Sequence, residues 1–427
     1  MYFFYSLLLS IAIGITLPLW VWRYFTTPKY RGTLKQRLGG IIPPETDAPR
    51  IWLHAVSVGE VLAAQGLVER IHQAYPDHEI HVSTVTRTGQ QMAREKLPHV
   101  TFTFYLPVDL PWIVKGVVQK IRPRFMMVME TELWPNLYRA LGREGIPILL
   151  INGRLSPGSS RNYARVRGAM KQFLQPVKLL AMQSEMDGER MLKIGGVEKR
   201  LVVTGNLKFD TALQPPSEEE MAELHRKIPK PDFPVFLAAS THPGEENAVL
   251  TAFGQLGGKF SDLKLILVPR HPERCGEVLG LVEKSGFAGG LFSQIQEGGW
   301  PRESSVLIVD QVGWLKRFYS LAQVAYIGGS LIPRGGQNML EAAAWGVPSV
   351  FGPHTFNFKE ATARILEGEA GVMIQEADEL GDAVGKLLDD KERYQAMSQN
   401  ARQVVQANAG ALDKTMTAID DTLSEYA

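Results

Sequence analysis

From residue 50 onward, short apolar runs suited to β-strands alternate with helical patterns, and the alternation recurs along nearly the whole chain. Such a pattern demands parallel strands, because a strand that returns in the same direction must be reached through a crossover, usually a helix. Strands are expected at residues 51–56, 80–85, 102–106, 125–130, 148–151, 179–182 and 201–204, with helices at 59–74 and 135–144 among those between. The series breaks at residues 210–220, DTALQPPSEEE, whose proline and acid content is linker chemistry. It restarts with strands at 235–239, 263–268, 306–309, 324–327, 349–351 and 372–374. The expectation is an α/β protein of two Rossmann-like domains around a central cleft, with ligands beyond the carboxyl ends of the strands. Residues 26–210 would form the first domain, 211–220 the linker, 221–407 the second domain and 408–427 a C-terminal helix expected to pack back on the first domain.

Residues 2–22 are uncharged, apolar and about as long as a helix that crosses a bilayer core. Arg23, Lys29, Arg31, Lys35 and Arg37 follow with no acid among them, so a spanning helix would leave the remainder of the chain in the cytoplasm. Residues 1–25 are therefore read as a membrane anchor. A helix lying in one leaflet is the alternative, since Gly14 and Pro18 interrupt a regular span. The charged groups follow the apolar run rather than precede it, which argues against a cleaved signal peptide.

A formal net charge of +1 gives no footprint for nucleic acid, and Cys275, the single cysteine, excludes both a disulfide framework and a thiolate metal cluster. The histidines show no HExxH spacing, so no metal is expected. Neither GxGxxG after a strand, nor GxxxxGK[ST], nor GxSxG occurs, which weighs against dinucleotide oxidoreductases, P-loop NTPases and serine hydrolases.

Residues 326–353, YIGGSLIPRGGQNMLEAAAWGVPSVFGP, read as strand, glycine loop, helix and strand. Gly328, Gly329, Gly335 and Gly336 permit close approach of a ligand, and Gln337, Asn338, Met339 and Leu340 are expected to open a helix with free N–H groups aimed at an anion. Glu341 would repel a phosphate but accept hydrogen bonds from a ribose, so a nucleotide suits both. Ordinary loop punctuation remains the alternative. Arg270 and Arg274, with His271 after an expected strand, suit a phosphate or carboxylate, or else form a solvated charged loop. Gly313 would allow backbone approach to a base or sugar. Glu60 begins a helix after a strand and has two readings, a general base or an acid favoured by the helix dipole, which would keep its pKa low. Glu130 and Glu132 close a very apolar strand where packing asks for no charge, and Lys208 sits at the entry to the linker.

The blocks HAVSVGE (54–60), METELWPN (129–136), TGNLKFD (204–210), STHPGEE (240–246), LILVPRHPER (265–274), GGSLIPRGGQNMLEAAA (328–344) and GPHTFNFK (352–359) together resemble the 3-deoxy-D-manno-octulosonic acid (Kdo) transferases of Gram-negative lipopolysaccharide synthesis. The resemblance implies a GT-B fold, an N-terminal anchor on the cytoplasmic face of the inner membrane, CMP-Kdo as donor, lipid IVA as acceptor, inversion at the anomeric carbon, and no metal or other cofactor. It implies Glu60 as catalytic base, with Glu130 and Lys208 supporting the transition state. Pro269, Arg270, Val312, Gly313, Trp314, Asn338, Met339, Leu340 and Glu341 match the CMP-contacting segments. Gln337 stands where the family commonly has histidine, Trp314 where it has an acid, and Pro333 where an acid can occur. Another GT-B enzyme, such as a UDP-sugar transferase or a 2-epimerase, and a non-catalytic nucleotide-binding protein on a membrane are the competing readings.

Overall fold

The computed structural model describes residues 1–26, 28–213, 216–295, 299–300 and 304–426. The chain forms two compact units, one of Met1–Thr211 with Ala409–Ala427, the other of Ala212–Asn408.

In the first unit seven strands, β1 (Arg50–His54), β2 (Glu79–Thr84), β3 (Val100–Tyr105), β4 (Pro123–Met129), β5 (Ile148–Gly153), β6 (Val177–Met182) and β7 (Leu201–Val203), make one parallel sheet in the order β3-β2-β1-β4-β5-β6-β7. Side chains alternate between the faces, as the period of two requires. Phe125, Met127 and Met129 of β4 enter one core, while Met126 and Val128 enter the other. Both faces are covered, so the strands read as unbroken apolar runs. The C-terminal helix, Ala411–Ser424, covers one face and buries Met416, Ile419 and Leu423 beside Ile51 and Phe125. Its start is fixed by Asp210, whose carboxylate accepts from the backbone N–H of Gly410 at 2.6 Å and Leu412 at 2.8 Å.

The second unit repeats the plan with β8 (Val235–Thr241), β9 (Lys264–Pro269), β10 (Gly289–Leu291), β11 (Val306–Ile308), β12 (Val324–Ile327), β13 (Ser349–Phe351) and β14 (Gly371–Met373), ordered β10-β11-β9-β8-β12-β13-β14 and again parallel. In each sheet the strand order reverses beside the first strand, between β1 and β4 and between β8 and β12. Open α/β sheets bind ligands at such reversals.

Three expectations change. Residues 210–220 are largely helical where described: the helix Leu207–Leu213 runs through the beginning, and Ser217 with Glu220 forms a capping box for the helix Glu218–Lys227. The serine and acids are helix-start chemistry rather than linker chemistry; residues 214 and 215 lie outside the described residues. The helix expected over 59–74 breaks at Ala64 into Val58–Ala63 and Gln65–Ala74. The C-terminal helix begins at Ala411, after the left-handed Gly410, rather than at residue 408.

Candidate active site

In the first unit, β1 leads through Ser57 into the helix Val58–Ala63, and Glu60 stands in its first turn. The carboxylate folds back toward the strand end and accepts from the Val56 N–H at 2.7 Å and the Ser57 hydroxyl at 3.0 Å. Glu60 is 8% exposed, and burial pushes its pKa up to about 7 against the two hydrogen bonds, with the charges of Glu130 and Glu132 adding to the rise. The helix dipole was expected to hold this pKa low. Desolvation of the charged form outweighs it.

Glu130 follows β4, across the strand reversal from Glu60. Its backbone takes the left-handed conformation at φ 54°, unusual for a side chain of this size, while its N–H donates to Ile151 O at 2.9 Å. That turn puts a carboxylate where the strand would have continued. Lys208, in the first turn of Leu207–Leu213, reaches it at 3.2 Å. The helix is tied to β5 by Asn152, whose side-chain oxygen accepts from the Leu207 N–H at 3.1 Å. Glu132 is a third acid here, its pKa raised by burial and further by Glu130. Three sequence blocks thus converge at one end of one sheet.

In the second unit the glycine loop after β12 meets the turn after β8. A Cβ on Gly328 would lie 2.3 Å from Ser240 O, so only glycine permits this approach of backbone to backbone. Glu245 opens the helix Glu245–Gly257 and is 1% exposed. One of its oxygens accepts from the N–H groups of His242 (3.0 Å) and Gly329 (2.7 Å), and the other from Tyr326 Oη (2.7 Å) and the N–H groups of Ser330 (3.1 Å) and Leu331 (3.2 Å). This one carboxylate clamps the loop. Burial holds His242 below its ordinary 6.5, and its Nε2 has no hydrogen-bond partner among the described residues, 3.5 Å from where a Cβ on Gly329 would lie. Sequence reasoning gave neither Glu245 nor His242 a role, although both lie in the block STHPGEE.

The residues expected to contact a nucleotide fall into three groups. Pro269 ends β9, and Arg270 follows, exposed and without an ion pair among the described residues, its N–H donating to Thr241 O at 2.9 Å. Arg274, by contrast, is engaged with Glu246 at 2.8 Å and Glu277 at 3.2 Å. Val312 is exposed and Gly313 has φ 91°. The Trp314 ring is buried in an aromatic cluster, 4.5 Å from Phe292 and under the Arg317 guanidinium at 4.1 Å. Its indole is therefore spent on packing, and a base would meet the backbone of this loop instead.

The helix expected from Gln337 begins only at Leu340 and runs five residues to Ala344. Gly335 and Gly336 take left-handed conformations at φ 92° and 75° before that point, and the Asn338 side-chain oxygen accepts from the Leu340 N–H at 3.2 Å. Met339 and Leu340 bury their side chains, so they present backbone only. Asn338 Nδ2 reaches Glu341 at 3.5 Å, and the Glu341 pKa is raised by burial despite nearby Lys316. Among the described residues no group of three or more His, Cys, Asp or Glu side chains could hold a metal.

Residues 32–211 match the family model described as 3-Deoxy-D-manno-octulosonic-acid transferase (kdotransferase). A 3-deoxy-D-manno-octulosonic acid transferase of Haemophilus influenzae is 34% identical over 99% of this chain and 98% of its own length. One from Bordetella pertussis is 32% identical over 96% of this chain and 97% of its own length. The structure of a UDP-GlcNAc 2-epimerase from Neisseria meningitidis bound to UDP-GlcNAc superposes with a TM-score of 0.56, at 14% identity, over 88% of this chain and all of that one. That likeness shows the fold, two Rossmann-like units of the GT-B class. On sequence identity over nearly its whole length, the chain belongs to the 3-deoxy-D-manno-octulosonic acid transferase family.

Proposed function

We propose that the chain carries out Kdo transfer from CMP-Kdo to a hydroxyl of lipid IVA, with inversion at the anomeric carbon, on the cytoplasmic face of the inner membrane. Glu60 takes the proton of the acceptor hydroxyl while that oxygen forms its bond to the anomeric carbon. The bond from that carbon to the CMP phosphate oxygen breaks, and its electron pair leaves with CMP. The observation that carries this reading is Glu60 itself: a buried carboxyl with a pKa of about 7, near the pH at which a base works best. Among the described residues two donors face it, so acceptor capacity is left for a substrate hydroxyl.

Lys208 meets negative charge on the departing CMP, and Glu130 positions Lys208 beforehand and opposes positive charge developing on the sugar. In the second unit Arg270 and the backbone of residues 337–339 receive the phosphate, and Glu341 with Asn338 receives the ribose. The backbone at Val312 and Gly313 borders the base. No step in this scheme calls on a metal.

The test is transfer by Glu60→Gln, read by mass analysis of lipid IVA incubated with freshly made CMP-Kdo. A fall of ~10²–10⁴ in rate with CMP binding retained is expected for loss of a general base. A variant within a few-fold of the wild type would remove Glu60 from the role. Preference of the wild-type chain for a UDP-sugar over CMP-Kdo would overturn the donor assignment.

A further inference from the structure

The N-terminal helix, α1 (Tyr2–Thr26), is long and apolar enough to cross a bilayer, yet its beginning and the end of the helix that follows it are tied to the same folded unit. At its beginning, the Tyr2 hydroxyl donates to Gln172 O at 3.0 Å, and the Tyr2 ring packs 5.1 Å from Phe173 and under the Arg139 guanidinium at 4.7 Å. Ser6 Oγ lies 3.2 Å from Asn136 Oδ1 and 3.1 Å from Asn136 Nδ2. At its other end the chain passes through one residue into α2 (Pro28–Arg37). There the Gln36 side chain accepts from the Tyr105 N–H at 3.0 Å, Arg37 O accepts from the Val108 N–H at 2.8 Å, and the Arg37 guanidinium covers the Tyr105 ring at 5.0 Å.

These contacts are incompatible with a crossing. A spanning helix would put its two ends about 30 Å apart, on opposite sides of the hydrocarbon. With Tyr2 and Ser6 held against the first unit, the far end would be Thr26, and α2 would have to bring the chain back. A ten-residue helix reaches only about 15 Å and would carry its basic side chains through lipid.

We propose that α1 lies along the membrane plane in one leaflet, on the side that carries the folded units, rather than through the bilayer. Tyr2, Tyr5, Ser6, Leu9, Ile13 and Thr16 recur at helical spacing and are half-buried, continuing the docked stripe. Phe3, Phe4, Leu8, Ile11, Ile15 and Leu19 are exposed on the remaining surface. The occupant of that surface is a lipid leaflet with anionic headgroups, because the apolar helix leads directly into α2, which carries four basic residues and no acid. The first unit adds a second contact of the same kind: Leu38, Ile42 and Trp112 are all exposed. The segment that carries Leu38 packs beside the one that carries Trp112, since a Cβ on Gly39 would meet Ile113 at 3.4 Å. Tryptophan at such a position suits the headgroup boundary.

The inference rests on the membrane reading of the proposed function, and one set of preparations separates the two. Full-length chain carrying Tyr2→Cys and Phe173→Cys is treated in native membranes with a short bis-maleimide, the buried Cys275 staying silent. Most of the chain is expected to become internally crosslinked while retaining Kdo transfer; an active but uncrosslinked double variant overturns the proposal. Should the variant misfold, a short protease-cleavable tag ahead of Met1 of the otherwise unaltered chain decides. Cleavage in vesicles that expose the folded units, with protection in vesicles of the opposite sidedness, supports the in-plane helix. Cleavage only from the opposite face overturns it, and a chain found free of membranes overturns the membrane reading as well.

Discussion

The Lys208 ammonium lies 3.2 Å from Glu130, a residue whose backbone is held at φ 54° at the end of β4. Both side chains are about a quarter exposed, and an ion pair of that exposure is worth only about 0–1 kcal/mol to the fold. A left-handed glutamate is therefore a poor investment in stability alone, and the geometry is better explained by placement of charge. Lys208→Ala should lower kcat by ~10²–10³ if the ammonium meets transition-state charge, with a melting temperature close to that of the wild type. Single-turnover rates and calorimetry check both halves. A large drop in melting temperature with proportionate loss of activity would make the pair structural instead.

In the proposed mechanism Glu60 serves as the base only when ionised, so kcat/KM should fall as pH drops below about 7, following a single proton. Removing a neighbouring negative charge should ease ionisation. Glu132→Gln is expected to move this acid limb to lower pH by a few tenths of a unit, because Glu132 is the smallest contributor to the rise. A pH profile unmoved in Glu60→Asp and in Glu132→Gln would assign the limb to another group.

The same shift has a stability consequence of definite sign. Glu60 binds its proton more tightly in the folded than in the unfolded chain, so its protonation favours folding. That contribution is complete below the ordinary carboxylate value of 4.5 and is lost as pH rises through about 7. Glu60→Gln should then be more stable than the wild type at pH 8, by up to about 3 kcal/mol from the size of the shift, and should lose the advantage below pH 4.5. Denaturant titrations of the full chain at the two pH values measure the difference.

What the sequence discloses and what it hides follow from range. Thirteen of the fourteen strands stand out as apolar runs because parallel strands are buried on both faces. The exception is β10, Gly289–Leu291, an edge strand of three residues, two of them glycine, in which neither propensity nor pattern has room to register. Glu130 is visible because charge at the end of so apolar a run has no packing rationale. The pKa of Glu60 is not, since it depends on desolvation by segments distant in the chain and on acids some 70 residues away. Trp314 shows the converse: its type suggests stacking on a base, but the ring is buried, packed against Phe292 and covered by Arg317.

Transfer should survive chelation. In the proposed scheme the charge of CMP is met by Lys208, Arg270 and backbone N–H groups, so activity in excess EDTA should stay within two-fold of the untreated enzyme. A large loss restored by a divalent cation would show that these groups do not carry the phosphate charge alone.

Glu60 and Glu245 occupy equivalent places, each in the first turn of the helix after the first strand of its sheet, yet they differ in how much of the carboxylate is used. Two donors face Glu60, and five face Glu245. In Glu60→Gln the amide oxygen can keep the Val56 N–H, and the Ser57 hydroxyl can rotate to accept from the amide nitrogen, so the fold should tolerate the change. Glu245→Gln has no such escape. Whichever way the amide is turned, its NH₂ faces at least two donors, and backbone N–H groups cannot reverse their role. Each buried group left unpaired costs about 1–3 kcal/mol, and the glycine loop loses its clamp. Glu245→Gln is thus expected to lower the stability of the second unit by about 2–5 kcal/mol and to weaken CMP binding, whereas Glu60→Gln abolishes transfer while CMP binding stays intact. Calorimetric titration with CMP, beside a melting curve for each variant, distinguishes them; equal CMP affinity and melting temperature in Glu245→Gln and wild type would sink the assignment of Glu245 as the clamp.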